Sequence, residues 1–166
     1  MSTNTGNENY NAVRFTAARH QRDSPFNKVN VTANRTPIGG ASTAADPLPW
    51  AAASNHSFYT DTAAAVPSKF MTVPVNTKIT AFSFSGSVTT AAPGNVSLGL
   101  AIAPNSPPTV AIGTFPVGIG AISFSETGVL SLGPYAVDMY PVFSFDVNVT
   151  AVTVAPRVSF NYLSPA

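Results

Sequence analysis

The chain has 166 residues, no cysteine and a net charge of +1, and only 15 of its side chains are charged, where an ordinary soluble domain of this size would carry roughly 40. Those figures allow one domain with an appendage and exclude disulfides and thiolate chemistry. They leave no whole-chain charge to draw an acidic partner.

Charge is nonetheless divided unevenly. Arg14, Arg19, Arg22, Lys28 and Arg35 against Glu8 and Asp23 give residues 1–36 a net +3. Lys69, Lys78 and Arg157 against Asp46, Asp61, Glu126, Asp138 and Asp146 give the remainder −2. From Ile79 through Ser125, 47 residues pass without a charge. Gly, Pro and Ser interrupt that stretch too often for a membrane span, and nowhere do about 18 apolar residues run together. The opening MSTNTGNENYNAVRF lacks the apolar run of a secretory signal, so synthesis in the cytosol without membrane insertion is the expectation. An uncharged surface of this extent stays in solution either through a skin of Ser, Thr and Asn or through burial against neighbouring copies.

Residues 1–65 read as an extended, irregular arm. Asn, Thr and Ala dominate it, and neither a helical nor a strand period of apolar residues is sustained. Pro25, Pro37, Pro47, Pro49 and the pair Gly39-Gly40 break any regular element. Phe15, Phe26, Ile38, Leu48, Trp50, Phe58 and Tyr59 are spaced along it, unlike a disordered tail, where aromatics are scarce. They read as anchors that dock into grooves. At about 3.3–3.6 Å per residue an arm of this length can cross onto neighbouring subunits. The same cations could instead contact packaged nucleic acid, but +3 over 36 residues is thin for binding by counterion release, so a nucleic-acid partner is not expected.

Residues 66–166 read as an all-β, antiparallel sandwich, with a jelly roll as the first choice. In KITAFSFSGSV, Phe82, Phe84 and Val88 share one face and Ser83, Ser85 and Ser87 the other, the pattern of a half-buried strand. NVSLGLAIAP alternates likewise through Val96, Leu98, Leu100 and Ile102. TVAIGTF, AISFS and VLSL give three shorter strands, Phe143 through Ala151 a long row, and Val158, Phe160 and Tyr162 the last. Turns are expected at 92–95, 104–108, 126–128, 133–134 and 155–157, where Gly, Pro and Asn cluster. Seven to nine strands with such spacing make a sandwich or barrel, with helix confined to short turns near 51–53 or 63–65. Edge strands are usually guarded by charge or proline. Charge is nearly absent here, so the guard is Pro74, Pro116 or Pro141, or else other subunits.

Catalytic chemistry finds little purchase. His20 and His56 are the two histidines, both in the arm, and no G-x-S-x-G elbow occurs. Glu126 reads as a turn residue, Asp138 as a loop acid and Asp146 as an outward strand position, not as a paired-carboxylate site. No His, Cys or oxygen cluster suits zinc or calcium, and Gly113, Gly118 and Gly120, interrupted by Pro116, make no phosphate loop. No catalytic residue, cofactor or metal is expected. Sequons at Asn30, Asn34, Asn55, Asn95 and Asn148 arise readily in so Ser/Thr-rich a chain. Trp50 and Tyr59 could stack on a sugar, although plugs that fasten the arm to a domain surface fit them better. Tyr135 and Tyr140 are the other aromatics that could lie exposed.

An irregular arm with scattered aromatics ahead of a cysteine-free, charge-poor, Ser/Thr/Gly/Ala-rich sandwich resembles the virion structural proteins of bacteriophages. Nearest among them are the jelly-roll decoration, or cement, proteins that sit as trimers on tailed-phage capsids. The likeness lies in the style of the whole chain and not in a motif. It implies a homotrimer on the capsid surface, a major capsid protein as partner, and a mechanical role without catalysis in which the arm stitches adjacent capsomers. Arg14, Phe15, Arg19, Arg22, Phe26 and Trp50 would then be the contacts, by their position in the arm. Two other readings stay open: a jelly-roll coat protein of a small virus with its arm facing nucleic acid, and a glycan- or receptor-binding tip domain of a fibre.

Overall fold

Alternation of Phe, Val and Leu with Ser and Thr becomes the long strands of the computed structural model, which describes residues 38–163 and has eight strands among them. They are β1 (Ile38–Gly40), β2 (His56–Ser57), β3 (Lys78–Thr90), β4 (Gly94–Ala101), β5 (Val110–Val117), β6 (Gly120–Leu132), β7 (Tyr140–Phe145) and β8 (Val149–Leu163). No α-helix is present among the described residues.

Two four-stranded sheets form, in the orders β1-β8-β3-β6 and β2-β7-β4-β5. Every pairing is antiparallel, and the nested pairs β1:β8, β2:β7, β3:β6 and β4:β5 all occur. The first and third of these fall in one sheet, the second and fourth in the other. That is the strand order of a jelly roll, so the fold class read from the sequence holds.

Inward rows of the two sheets meet in an aromatic core. Phe84 lies at its centre, with ring centroids 4.9 Å from Phe124, 6.1 Å from Phe58, 6.3 Å from Phe143 and 6.4 Å from Phe115. Phe58, Phe84, Phe143, Phe160 and Met71 are fully buried, and each such side chain stabilises the fold by about 1.5–3 kcal/mol through apolar burial. Ile79 and Phe82 both point inward although their spacing is odd. The register shift between Ile79 and Ala81 absorbs the extra residue as a bulge.

Three features differ from the sequence reading. Residues 38–65, read as part of the arm, are woven into the sandwich: β1 pairs with β8, β2 pairs with β7, and Trp50, Phe58 and Tyr59 are buried. Lone apolar residues on irregular chain gave no period to detect, yet Trp50, Phe58 and Tyr59 each find a slot, while Ile38, expected to dock as well, is 64% exposed. Glu126-Thr127-Gly128 and Ala155-Pro156-Arg157, read as turns, lie inside β6 and β8. Gly128 is there because Phe82 covers it, a Cβ at this position coming within 2.6 Å of that ring. The long row from Phe143 to Ala151 is instead two strands, broken where the Asp146 carboxylate accepts hydrogen bonds from the Asn95 backbone N–H (2.6 Å) and side-chain amide (3.0 Å).

Candidate functional site

Two places concentrate chemistry. The first is a polar cluster on the 41–59 segment, built around Asp46. A turn whose Ser42 hydroxyl accepts from the Ala44 and Ala45 backbone N–H groups (both 3.2 Å) delivers Asp46 to the sandwich wall. The Trp50 indole N–H donates to the Asp46 carbonyl at 2.8 Å. The Tyr59 hydroxyl donates to its carboxylate at 3.3 Å. His56, buried on β2, stacks against Trp50 with ring centroids 4.9 Å apart and against Phe143 at 5.5 Å. Its Nδ1 stands 4.0 Å from Asp46 Oδ2.

Ser54, His56 and Asp46 have the residue types of a nucleophile, base and acid relay, and the geometry says what they do instead. Ser54 Oγ lies 2.6 Å from the Ala51 carbonyl and 2.8 Å from His56 Nε2. A serine has one proton to give. Donated to the carbonyl, it leaves His56 Nε2–H as the donor to Ser54, so the hydroxyl is held and not activated. Asp46 at 4.0 Å is beyond hydrogen-bond reach of Nδ1. The N–H groups of Ala52, Ala53 and Ser54, which could otherwise stabilise an oxyanion, donate to Asn148 Oδ1, the Phe145 carbonyl and the Ala51 carbonyl. The cluster fastens the segment to β7 and β8. Burial lowers the His56 pKa from its usual value, with Asp46 opposing in part. Burial raises that of Tyr59, reinforced by the Asp46 charge and hydrogen bond.

The second place is the outer face of the sheet β1-β8-β3-β6. Ala81, Ser83, Ser85, Ser87 and Thr89 of β3 lie beside Val129, Thr127, Ser125, Ser123 and Ala121 of β6. On the other side they meet Asn161, Ser159, Arg157, Val154 and Ala151 of β8. Across these rows Arg157 is the one charged side chain. Ser87 and Ser123 hydrogen-bond at 2.7 Å, while Val129 is 92% exposed and Val154 43%. Beside β1 a cleft of about 300 Å³ is lined by Gly39, Gly40, Ala41, Thr62, Ala155 and Arg157 among others. The opposite sheet differs. There the loop after β4 lies against the outer face, with Pro108 so close over Gly99 that a Cβ would stand 2.5 Å from it. Ser57 and Asn105 lock that loop by reciprocal bonds, Ser57 N–H to Asn105 Oδ1 at 2.9 Å and Asn105 N–H to Ser57 Oγ at 2.8 Å.

Of the residues expected to contact neighbours, Arg14, Phe15, Arg19, Arg22 and Phe26 lie outside the described residues. Trp50 is 2% exposed: it is an anchor, and the groove it fills belongs to its own sandwich, which also withdraws it as a sugar platform. Asp46, Ser54 and His56 were not brought together by sequence reasoning. The short spacing of Ser54 and His56 was visible, but the partner that positions them, the Trp50–Phe143 wall, was not. Among the described residues no group of three or more His, Asp or Glu could hold a metal, and no helix is long and apolar enough to cross a membrane. No protein-family model matches the chain, and no curated protein matches its sequence.

Proposed function

We propose that this protein is a structural component of a viral particle, which associates with copies of itself and with a protein shell by burying the outer face of the β1-β8-β3-β6 sheet. The observation that carries this reading is that face: three long strands whose central rows are Ser, Thr, Ala and exposed Val with Arg157 as the one cation. Short hydroxyl and methyl side chains lose little rotamer entropy on being covered. Few ions there must be desolvated. Jelly rolls serve as viral capsid domains and also as lectins and cupins, so topology alone does not choose among them.

A decoration protein, a trimer clamping capsid subunits with the leading segment as fastener, is the reading in keeping with the sequence resemblance. A coat protein with its leading segment facing nucleic acid is the second reading, for which the net +3 of residues 1–36, thinly spread as it is, is the supporting observation. Neither role asks for catalysis or a cofactor.

Sedimentation velocity and electron microscopy of the purified chain, alone and with empty shells, test the proposal. Self-association into a closed oligomer, with retention on shells at 1 M salt, supports the decoration role. Assembly of shells by the chain itself, with nucleic-acid binding that falls steeply with salt, supports the coat role. A monomer at all concentrations that binds no shell but binds a glycan array overturns both. Replacing Ser83 and Ser123 by Lys on the outer face, neither of which has a charge directly opposite, should abolish association while leaving the fold intact.

A further inference from the structure

Among the described residues, strand β6 is a sheet edge of 13 residues, with β3 on one side and no strand paired on the other. Such an edge is a template for strand addition. Of the other sheet's two edge strands, β2 and β5, the longer, β5, carries Pro116, which lacks an N–H. β6 contains no proline and one charge, Glu126. Its position is unusual. Glu126 pairs directly with Phe84, which is wholly buried, so its side chain has the inward phase of the strand, two residues from the buried Phe124. It is half-buried, on a strand whose outer edge is unpaired among the described residues. Among the described residues it has no ion pair or side-chain hydrogen bond.

We infer that Glu126 closes the β6 edge to strand addition. A strand docked at β6 would lie about 4.8 Å away and take further solvent from the carboxylate. That leaves an unpaired charge against Phe84, which is far costlier than a buried neutral group. Self-pairing meets a second obstacle. Glu126 is the middle residue of β6, so two copies joined antiparallel in full register would set Glu126 against Glu126, and like charges directly opposite repel.

The inference stands apart from the proposed function, because it concerns only what removing the carboxylate adds at this edge. Full-length wild type is compared with Glu126→Gln, Glu126→Val and Glu126→Lys. Thr127→Val serves as a control that adds apolar surface on the other face of the same strand. Concentration-series sedimentation reads association and amide hydrogen exchange reads the 120–132 segment. Glu126→Gln and Glu126→Val should associate at concentrations at least about tenfold below wild type, since a neutral group is buried in place of a charge, with slowed exchange along β6. Glu126→Lys and Thr127→Val should match wild type. If Glu126→Val does not fold, the near-isosteric Glu126→Gln carries the test. Failure of Glu126→Gln to associate more readily overturns the inference, as do association of Glu126→Lys or Thr127→Val to the same degree, new association that leaves β6 exchange unchanged, and wild-type oligomers in which the β6 amides not bonded to β3 are already protected.

Discussion

Burial between Trp50 and Phe143 disfavours the charged form of His56, and Asp46 offsets only part of that penalty. The folded-state pKa is therefore below the ordinary 6.5. Above that value the ring is neutral in both states and contributes no pH dependence. As pH falls below 6.5 the unfolded chain takes up a proton first, and stability declines until the folded-state pKa is passed. Asp46, 4.0 Å from Nδ1, is the charged group beside the ring. Asp61 and Asp146 act in a separate window: backbone N–H donors hold both below the usual 3.8, so their stabilisation is present above that value and is lost only as pH falls through the carboxylate range. Thermal unfolding followed by calorimetry should show a midpoint that falls between pH 7 and pH 5, and His56→Gln should flatten that slope. At this scale the sequence was legible only in part. An isolated Trp or Tyr in irregular chain was recognisable as an anchor, but which surface it would plug depends on a slot formed by residues far along the chain.

Strands and their faces were the most legible level, because a period of two follows from backbone pleating and needs no tertiary information. Their ends were less so. The break after Phe145 depends on Asp146 capturing Asn95, 51 residues away in sequence, and the continuity of β6 through Gly128 depends on the ring of Phe82. Loop placement is likewise a tertiary matter, as the Ser57–Asn105 clasp illustrates. Ser57 is fully buried and Asn105 holds φ at 53°, a conformation Asn tolerates better than most residues. Asn105→Ala removes both the acceptor and that tolerance and should cost about 1–3 kcal/mol. Ser57→Ala should cost roughly 1–2 kcal/mol. Since the two residues share one clasp, the double variant should lose clearly less than the sum, as read by denaturant unfolding.

For the whole molecule, the decisive question is where the folded unit begins. Deleting residues 1–36 leaves every hydrogen bond of β1 and β2 to the rest of the sandwich in place and should preserve a cooperative transition. Deleting residues 1–65 strips both strands with Trp50, Phe58 and Tyr59. Losing buried aromatics costs about 3–5 kcal/mol each, set against a total stability of about 5–15 kcal/mol for a typical domain. The longer deletion should abolish folding, as circular dichroism and denaturant titration would show. Any assay of the leading segment in association therefore has to use the shorter deletion, or loss of fold will mimic loss of binding.

The sequence by itself determined the class of fold and the two-faced character of each long strand, since alternation and turn chemistry are local properties that survive without knowledge of neighbours. It also determined that the surface would be poor in ions, which is composition alone. Only the tertiary structure decided that residues 38–65 belong to the sandwich, that Trp50 is spent inside it, and that Asp46, Ser54 and His56 meet. It likewise decided that Glu126 faces the core side of an open edge. Each of these turns on which distant segments pack together, and residues with no local period leave that choice to the energetics of the assembled core.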